Sequence, residues 1–552
     1  MKLDKAILFI ILVFAIHCSK AQTGSYTLSD DSLVNFHASQ KRVYHAVRVE
    51  HRPRTDGRLD DPCWATEGEW QGDFIQQTPR QGQRPSQPTQ VKILYDDEYL
   101  YVAMRCFDSE PEKISPVMGR RDDFTSGDVV GIALDTYHDR HTAFEFNVTA
   151  AGQKVDVMHL GAYEWDTNWD AVWTGKAALE DSAWTAEIRI PFSQLRFSDQ
   201  QEHVWGMHIW RWIDRYDEED QWKLIPIDAP AMVYLFGELH GIRDIPRKRH
   251  FELMPFTAAR HVTDATSSDR FALGLDGKAA LSSNFTLDFT VLPDFGQVEA
   301  DPSELNLTTY EVFYSEKRPF FLEGNAILDY SVGNDMMFYS RRIGHAPTWV
   351  PPVEEDQELS MPSGTAILNA LKVTGKNRKG FSLGVVNSMT GREFATITGP
   401  GTRQKTEVEP FANYFIGRAR QDFNNGNTLL GVMGTSVTRS LKEEHLEFMP
   451  RQATAGALDF RHNWAEKKYF IDARIFVTSV AGSTEAITAL QRSSRHYYQR
   501  IDATHLTLDS AATSLSGFGG QIKGGKQSGK LRLTGTLSWR SPGVELNDAG
   551  YL

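Results

Sequence analysis

The sequence predicts an all-β chain in two parts, a β-sandwich followed by an antiparallel β-barrel of outer-membrane type. Three observations predict it. Residues 47–246 consist of short apolar-rich runs broken by turn residues, the texture of a sandwich. From residue 251 onward the alternating segments lengthen to about ten residues, the length a tilted barrel strand needs. No stretch after Ile16 is long and apolar enough for a membrane helix, so any membrane passage falls to strands.

The N-terminus reads as an export signal. Lys2 and Lys5 flank Asp4, residues 6–16 are an unbroken apolar run, and Ser19 and Ala21 are the small residues a signal peptidase recognises. Cleavage is expected before Gln22, leaving 1–21 as leader and 22–46 as a polar, flexible lead-in. A lipoprotein signal using Cys18 is the competing reading, disfavoured by His17 where a small residue is usual.

Within the sandwich, residues 91–95 and 99–104 flank Asp96-Asp97 and predict a hairpin. Residues 129–135, 144–148 and 184–190 predict further strands, the last ended by Pro191. In the second part, 286–292, 457–462, 469–477 and 530–539 carry the clearest alternation, with a turn at 463–468. Such alternation marks either a barrel or a soluble sheet with one wet face. Residues 350–358, proline-bearing and acidic, predict a loop. The sequence stops shortly after a good strand, without the aromatic-ended strand that commonly closes barrels, so an incomplete barrel is expected.

At 552 residues the chain exceeds one core. Its formal charge is −13, and it has no basic run, which excludes nucleic acid as a partner. Cys63 and Cys106 could pair in an oxidising compartment or serve as small buried hydrophobes. His138-Asp139-Arg140-His141 has metal-capable side chains but reads as a solvated turn without a third ligand. Trp165, Trp169 and Trp173 recur every four residues in a polar loop that either binds glycan or docks on the barrel rim. Glu299, Asp301, Glu304, Glu316 and Glu323 are the carboxylates a glycosidase would need, and they equally suit a polar lumen facing Lys317, Arg318, Arg341 and Arg342. No Gly-x-Ser-x-Gly or His-Glu-x-x-His motif is present, and Gly517-Phe518-Gly519-Gly520 lacks the context of a phosphate loop.

Residues 47–244 resemble carbohydrate-binding module family 9. The marks are Asp56-Gly57-Arg58-Leu59-Asp60-Asp61-Pro62-Cys63-Trp64, Leu100-Tyr101-Val102-Ala103, Asp128-Val129-Val130-Gly131-Ile132-Ala133-Leu134-Asp135, Trp184 to Phe192, and Trp205-Gly206. The remainder resembles a domain of unknown function that follows this module in exported Bacteroidota-type proteins. It carries Asp294-Phe295-Gly296-Gln297, Ser315-Glu316-Lys317-Arg318-Pro319-Phe320-Phe321-Leu322-Glu323-Gly324, Phe338-Tyr339-Ser340-Arg341-Arg342 and Ser541-Pro542-Gly543-Val544-Glu545-Leu546-Asn547-Asp548.

The first resemblance implies a sugar held between aromatic faces. Trp222 falls near the second aromatic of that pattern and Phe124 near the first, and Trp169 belongs to the aromatic loop. Trp222 equally suits a core position. Gly131 stands where such modules usually carry an acid. Calcium is the one cofactor the resemblance allows. The expectations are therefore a cell-envelope protein capturing a polysaccharide or oligosaccharide for carbohydrate catabolism, its barrel among outer-membrane lipids and its sandwich periplasmic or surface-exposed. A glycoside hydrolase, or an outer-membrane channel or secretion component with a docking sandwich, are the alternatives.

Overall fold

The computed structural model describes residues 31–122, 127–159, 165–167, 169–197, 200–246, 251–262, 268–282, 284–293, 311–322, 324–377, 379–424, 426–529 and 531–552. The expected leader, Phe124, Glu299, Asp301, Glu304 and Glu323 lie outside the described residues.

Two sheets form the front part. One places Val43–His45, Gly237–Arg243, Glu202–Ile213, Val129–Asp135, Ala143–Thr149, Lys154–His159 and Trp165–Asp166 side by side, with Glu218–Gln221 and Ile75–Thr78 attached through Glu202–Ile213. The other orders Thr174–Glu180, Ala183–Pro191, Tyr99–Phe107, Thr89–Tyr95 and Val47–Arg48. The expected hairpin is present, with Ile93 opposite Val102. Ile93, Val102 and Ile188 from one sheet meet Ile132, Phe146 and Ile209 from the other in a shared buried core. Cys63 and Cys106 do not pair. Both thiols are free and buried, Cys106 in this core and Cys63 in a separate cluster with Trp64, Leu94 and Tyr101. Burial pushes the Cys106 thiol up to about 12.

The back part is one antiparallel meander of eleven strands, in strict chain order. They are Phe251–Val262, Ser268–Ala280, Phe285–Val291, Ile367–Lys376, Phe381–Thr390, Phe411–Phe423, Thr428–Ser440, Gln452–Trp464, Tyr469–Ala481, Ser514–Lys526 and Leu533–Arg540. Among the described residues no pairing joins the first strand to the last. The turn expected at 463–468 is tighter, because the strands run to Trp464 and from Tyr469. Ala465, Glu466 and Lys467 all take left-handed conformations to close it (φ 51°, 56° and 62°).

This sheet is turned inside out relative to a soluble one. Val432, Leu458 and Ile475 are cross-strand neighbours on one face and are 50%, 52% and 47% exposed. The alternate positions carry Lys372, Arg418, Asp459 and Asp472, all buried. Gly431 is what lets Asp459 lie flat against the next strand, since a Cβ at Gly431 would sit 2.3 Å from the carboxylate. Residues between the third and fourth strands pack onto this charged face. Leu328, Tyr330 and Phe338 share a buried cluster with Val386, Ile416 and Phe476, and the Tyr330 hydroxyl donates to the Leu458 and Ile475 carbonyls. The last residues fold back here as well, Tyr551 pairing with Met336.

The two ends of the sheet differ. At one end the connections are short, at 377–380, 424–427, 465–468 and 527–532; at the other they are long, at 391–410, 441–451 and 482–513. The sandwich lies on the short-turn end.

In protein lacking 1–21, both thiols should resist a water-soluble thiol reagent until denaturant is added, then react together as two. A loss of free thiol under oxidising, non-denaturing conditions would contradict the buried, unpaired state.

Candidate functional site

The strand 143–149 alternates strictly, so Phe144, Phe146 and Val148 enter the core while Glu145 and Asn147 point to the opposite face. In register with them stand Ala133 and Gly131, then His208 and Trp210. His159 and Trp165, cross-strand partners, extend the same polar face at its edge. Glu145 is the hub. Its oxygens accept from Trp210 Nε1 at 2.9 Å and bond His159 Nε2. Burial pushes the Glu145 carboxyl up, but the His159 and Trp210 bonds outweigh it and leave the group below the usual carboxylate range. Both amide atoms of Asn147 and both ring nitrogens of His208 are buried without a partner among the described residues. Orphaned polar atoms of this kind point to a ligand or water. Trp165, 57% exposed, stands edge-on to His159 at 6.4 Å between ring centres.

Gly131, where an acid was the usual residue, has a structural cause. A Cβ there would lie 1.9 Å from Asn147 Oδ1 and 2.4 Å from Trp210 Nε1. The face carries its carboxylate one strand away, on Glu145.

The aromatic residues singled out from the sequence separate. Trp222 is fully buried, with Arg42 stacked at 4.9 Å and its Nε1 donating to Gln71 Oε1. It packs as the core aromatic its sequence context also allowed, and offers no ring face to a sugar. Trp169 and Trp173 are likewise buried, both against Phe146, and Trp173 Nε1 donates to Asp156. Only Trp165 of that trio is open to solvent. Phe124 is outside the described residues. Glu316 is buried and engaged by Arg318 and Ser340, which is the arrangement of a structural ion pair.

Asp122, Asp156 and Asp170 bring carboxylate oxygens within 4.8 Å of one another. This is the group that could take a calcium ion, yet Arg121 is ion-paired to all three. The guanidinium stands where a cation would, so the fit to a metal is poor.

The turn His138-Asp139-Arg140-His141 is not solvated as expected. It is pressed against the short-turn end of the meander. Lys376 Nζ is shared between Asp139 at 2.8 Å and Asp422 at 2.6 Å. Asp139 also accepts from the His141 and Thr142 amides. Lys467 Nζ lies 5.6 Å over the Tyr234 ring, a second junction contact. A cleft of about 680 Å³ opens beside the junction, walled by Tyr99, Trp169 and Phe192 on one side and Glu252, Lys278 and Thr286 on the other.

Comparison with known proteins places both parts. Residues 249–552 match the family described as a domain of unknown function (DUF5916). The chain belongs to that family. Residues 55–231 match the family described as carbohydrate family 9 binding domain-like, which supports carbohydrate binding by the sandwich. Among solved structures, a family 9 module from Caldicellulosiruptor kristjanssonii in complex with cellotriose is 19% identical, covering 36% of this chain and 93% of its own at a TM-score of 0.27. The outer membrane channel DcaP of Acinetobacter baumannii is 7% identical, covering 75% of this chain and 96% of its own at 0.20. Pseudomonas aeruginosa OpdQ is 6% identical, covering 85% and 96% at 0.19. No curated protein sequence matches the chain.

Lys376→Met leaves Asp139 and Asp422 facing each other unpaired, a loss of about 3–5 kcal/mol for a buried pair broken on one side. The sandwich should then loosen, read as faster limited proteolysis between sandwich and meander in the variant; unchanged cleavage would contradict the contact. Acid should act on the sandwich at two places, the junction turn and the Glu145 face. Burial, with Lys376 adding to it, holds His141 down to about 4, and burial holds His208 there too. Their unfolded values lie near 6.5, so the unfolded chain binds protons first as pH falls. Stability from both is full above about pH 6.5 and is lost as pH drops towards 4. The melting temperature should fall across that window, and less so in His208→Asn.

Proposed function

We propose that this chain is a carbohydrate-binding protein of the cell envelope, its meander embedded in an outer membrane and its sandwich seated on the periplasmic mouth. The observation that carries the membrane assignment is the inverted sheet. A band of cross-strand apolar residues as continuous as Val432, Leu458 and Ile475 is not left in water by soluble monomers. Charged residues occupy the face away from it, as in a barrel lumen. Trp464 and Tyr469, with rings 5.9 Å apart, sit on the outer face at the strand ends, where interfacial aromatics belong. Barrels of this kind keep short turns in the periplasm and long loops outside, which puts the sandwich on the periplasmic side.

The sugar site on this reading is the polar face centred on Glu145. Trp165 supplies an open apolar ring for a sugar's C–H face. Glu145 and His159 beside it supply an acceptor and a donor for hydroxyls. The partner is a polysaccharide or oligosaccharide, and capture beside a lumen suits uptake for catabolism. A second reading, a channel or secretion component with the sandwich as a docked cap, is favoured by the Lys376 contact, because it makes the sandwich part of the mouth.

The test is a glycan array probed with the full chain, then calorimetry with the best saccharide. Trp165→Ala should weaken binding at least tenfold with unchanged thermal unfolding. An array without a saturable ligand, or equal affinity in the variant, would sink the capture reading and leave the docking one.

A further inference from the structure

The inner face of the meander encloses a second polar space that the carbohydrate reading does not use. It is a cavity of about 260 Å³, bounded by strand residues, by Asp329 and Ser331 of the inserted segment, and by His141 of the sandwich. That volume equals about nine waters at 30 Å³ each, just under the range for drug-sized ligands.

Its charge is unbalanced. Asp459 accepts from Arg418 Nη2 at 3.0 Å, and Asp472 accepts from Arg474 Nε at 3.0 Å. Arg461 lies 4.0 Å from Asp472 and bonds Gln527. Arg420 and Lys467 also line the cavity; among the described residues neither has a carboxylate at ion-pair distance, and Asp139 and Asp422, which attract Lys467 from further off, are held by Lys376. Asp329, the third carboxylate, is exposed. Five cations therefore face three carboxylates around one small enclosed space. Among the described residues Arg418, only 5% exposed, has no acceptor for Nε and Nη1, and Arg420 has none for Nε; these three atoms are sealed from solvent, whereas the terminal nitrogens of Arg420 are not. A buried guanidinium with unfilled donors carries a high cost unless an acceptor enters.

We propose that this cavity is a binding site for a small carboxylate anion about the size of one sugar ring, held by the terminal nitrogens of Arg420 and by Lys467 at the sandwich side, with the Arg418 charge behind them. Guanidinium groups match the planar, two-oxygen edge of a carboxylate. The site differs in place and chemistry from the Glu145 face, where Trp165 and a carboxylate select neutral hydroxyls.

The probes are glucuronate, glucose and inorganic phosphate, titrated calorimetrically into the full chain in nanodiscs at low ionic strength. Glucuronate should bind saturably and glucose should not bind to this site. Arg420→Gln, which removes no ion pair, should weaken glucuronate at least tenfold with unchanged unfolding. Lys467→Gln provides the same test should the first variant misfold. Trp165→Ala should leave glucuronate binding intact, which separates this site from the carbohydrate face. Absence of glucuronate binding, equal affinity in both lumen variants, loss in Trp165→Ala, or a preference for phosphate would each overturn the proposal.

Discussion

The constraint on which the back half depends is the burial of charge on one face of an eleven-stranded sheet whose other face is apolar. Lys372, Arg418, Asp459 and Asp472 cannot be buried without partners. Three features answer that demand. Strand neighbours pair with one another, as Arg418 does with Asp459. The segment between the third and fourth strands lies against the charged face and brings Tyr330 and Ser331 to it, the Ser331 carbonyl accepting from Arg474. The sandwich contributes Asp139, which shares Lys376 with Asp422. The docking of the front part thus adds a second carboxylate to a cation that Asp422 of the back part already holds.

That coupling gives the sandwich two sides with different duties. Its turn at 138–141 serves the junction. Its polar sheet face, built on Glu145, His159 and Trp210, makes its bonds within the sandwich. On the proposed reading that face, and not the docking turn, is the one that recognises the sugar.

Much of the architecture was legible in the sequence. The alternation at 457–462 and 469–477 is the inverted sheet itself, and the hairpin around Asp96-Asp97 folds as its turn residues direct. The site was less legible. A four-residue spacing cannot say which of Trp165, Trp169 and Trp173 meets Phe146, because that depends on the strand opposite. Trp222 could be platform or core until Arg42 was seen to cover it. The docking turn looked solvated because its partner, Lys376, lies far along the chain. Glu145 was the missed residue. The signal for it was present, since in Phe144-Glu145-Phe146-Asn147 the polar members must share a face, and Gly131 opposite them leaves them room.

The most direct measurement is a spin-label scan along 428–440 in the full chain reconstituted into lipid, comparing collision with oxygen and with a water-soluble nickel chelate. The account predicts a period of two. Labels at Leu430, Val432 and Gly434 should meet oxygen and be shielded from the chelate, whereas labels at Leu429, Met433 and Thr435 should be protected from the lipid phase. Equal access of the chelate to both sets would mean that the apolar face is in water, and would contradict the membrane assignment and the sidedness drawn from it.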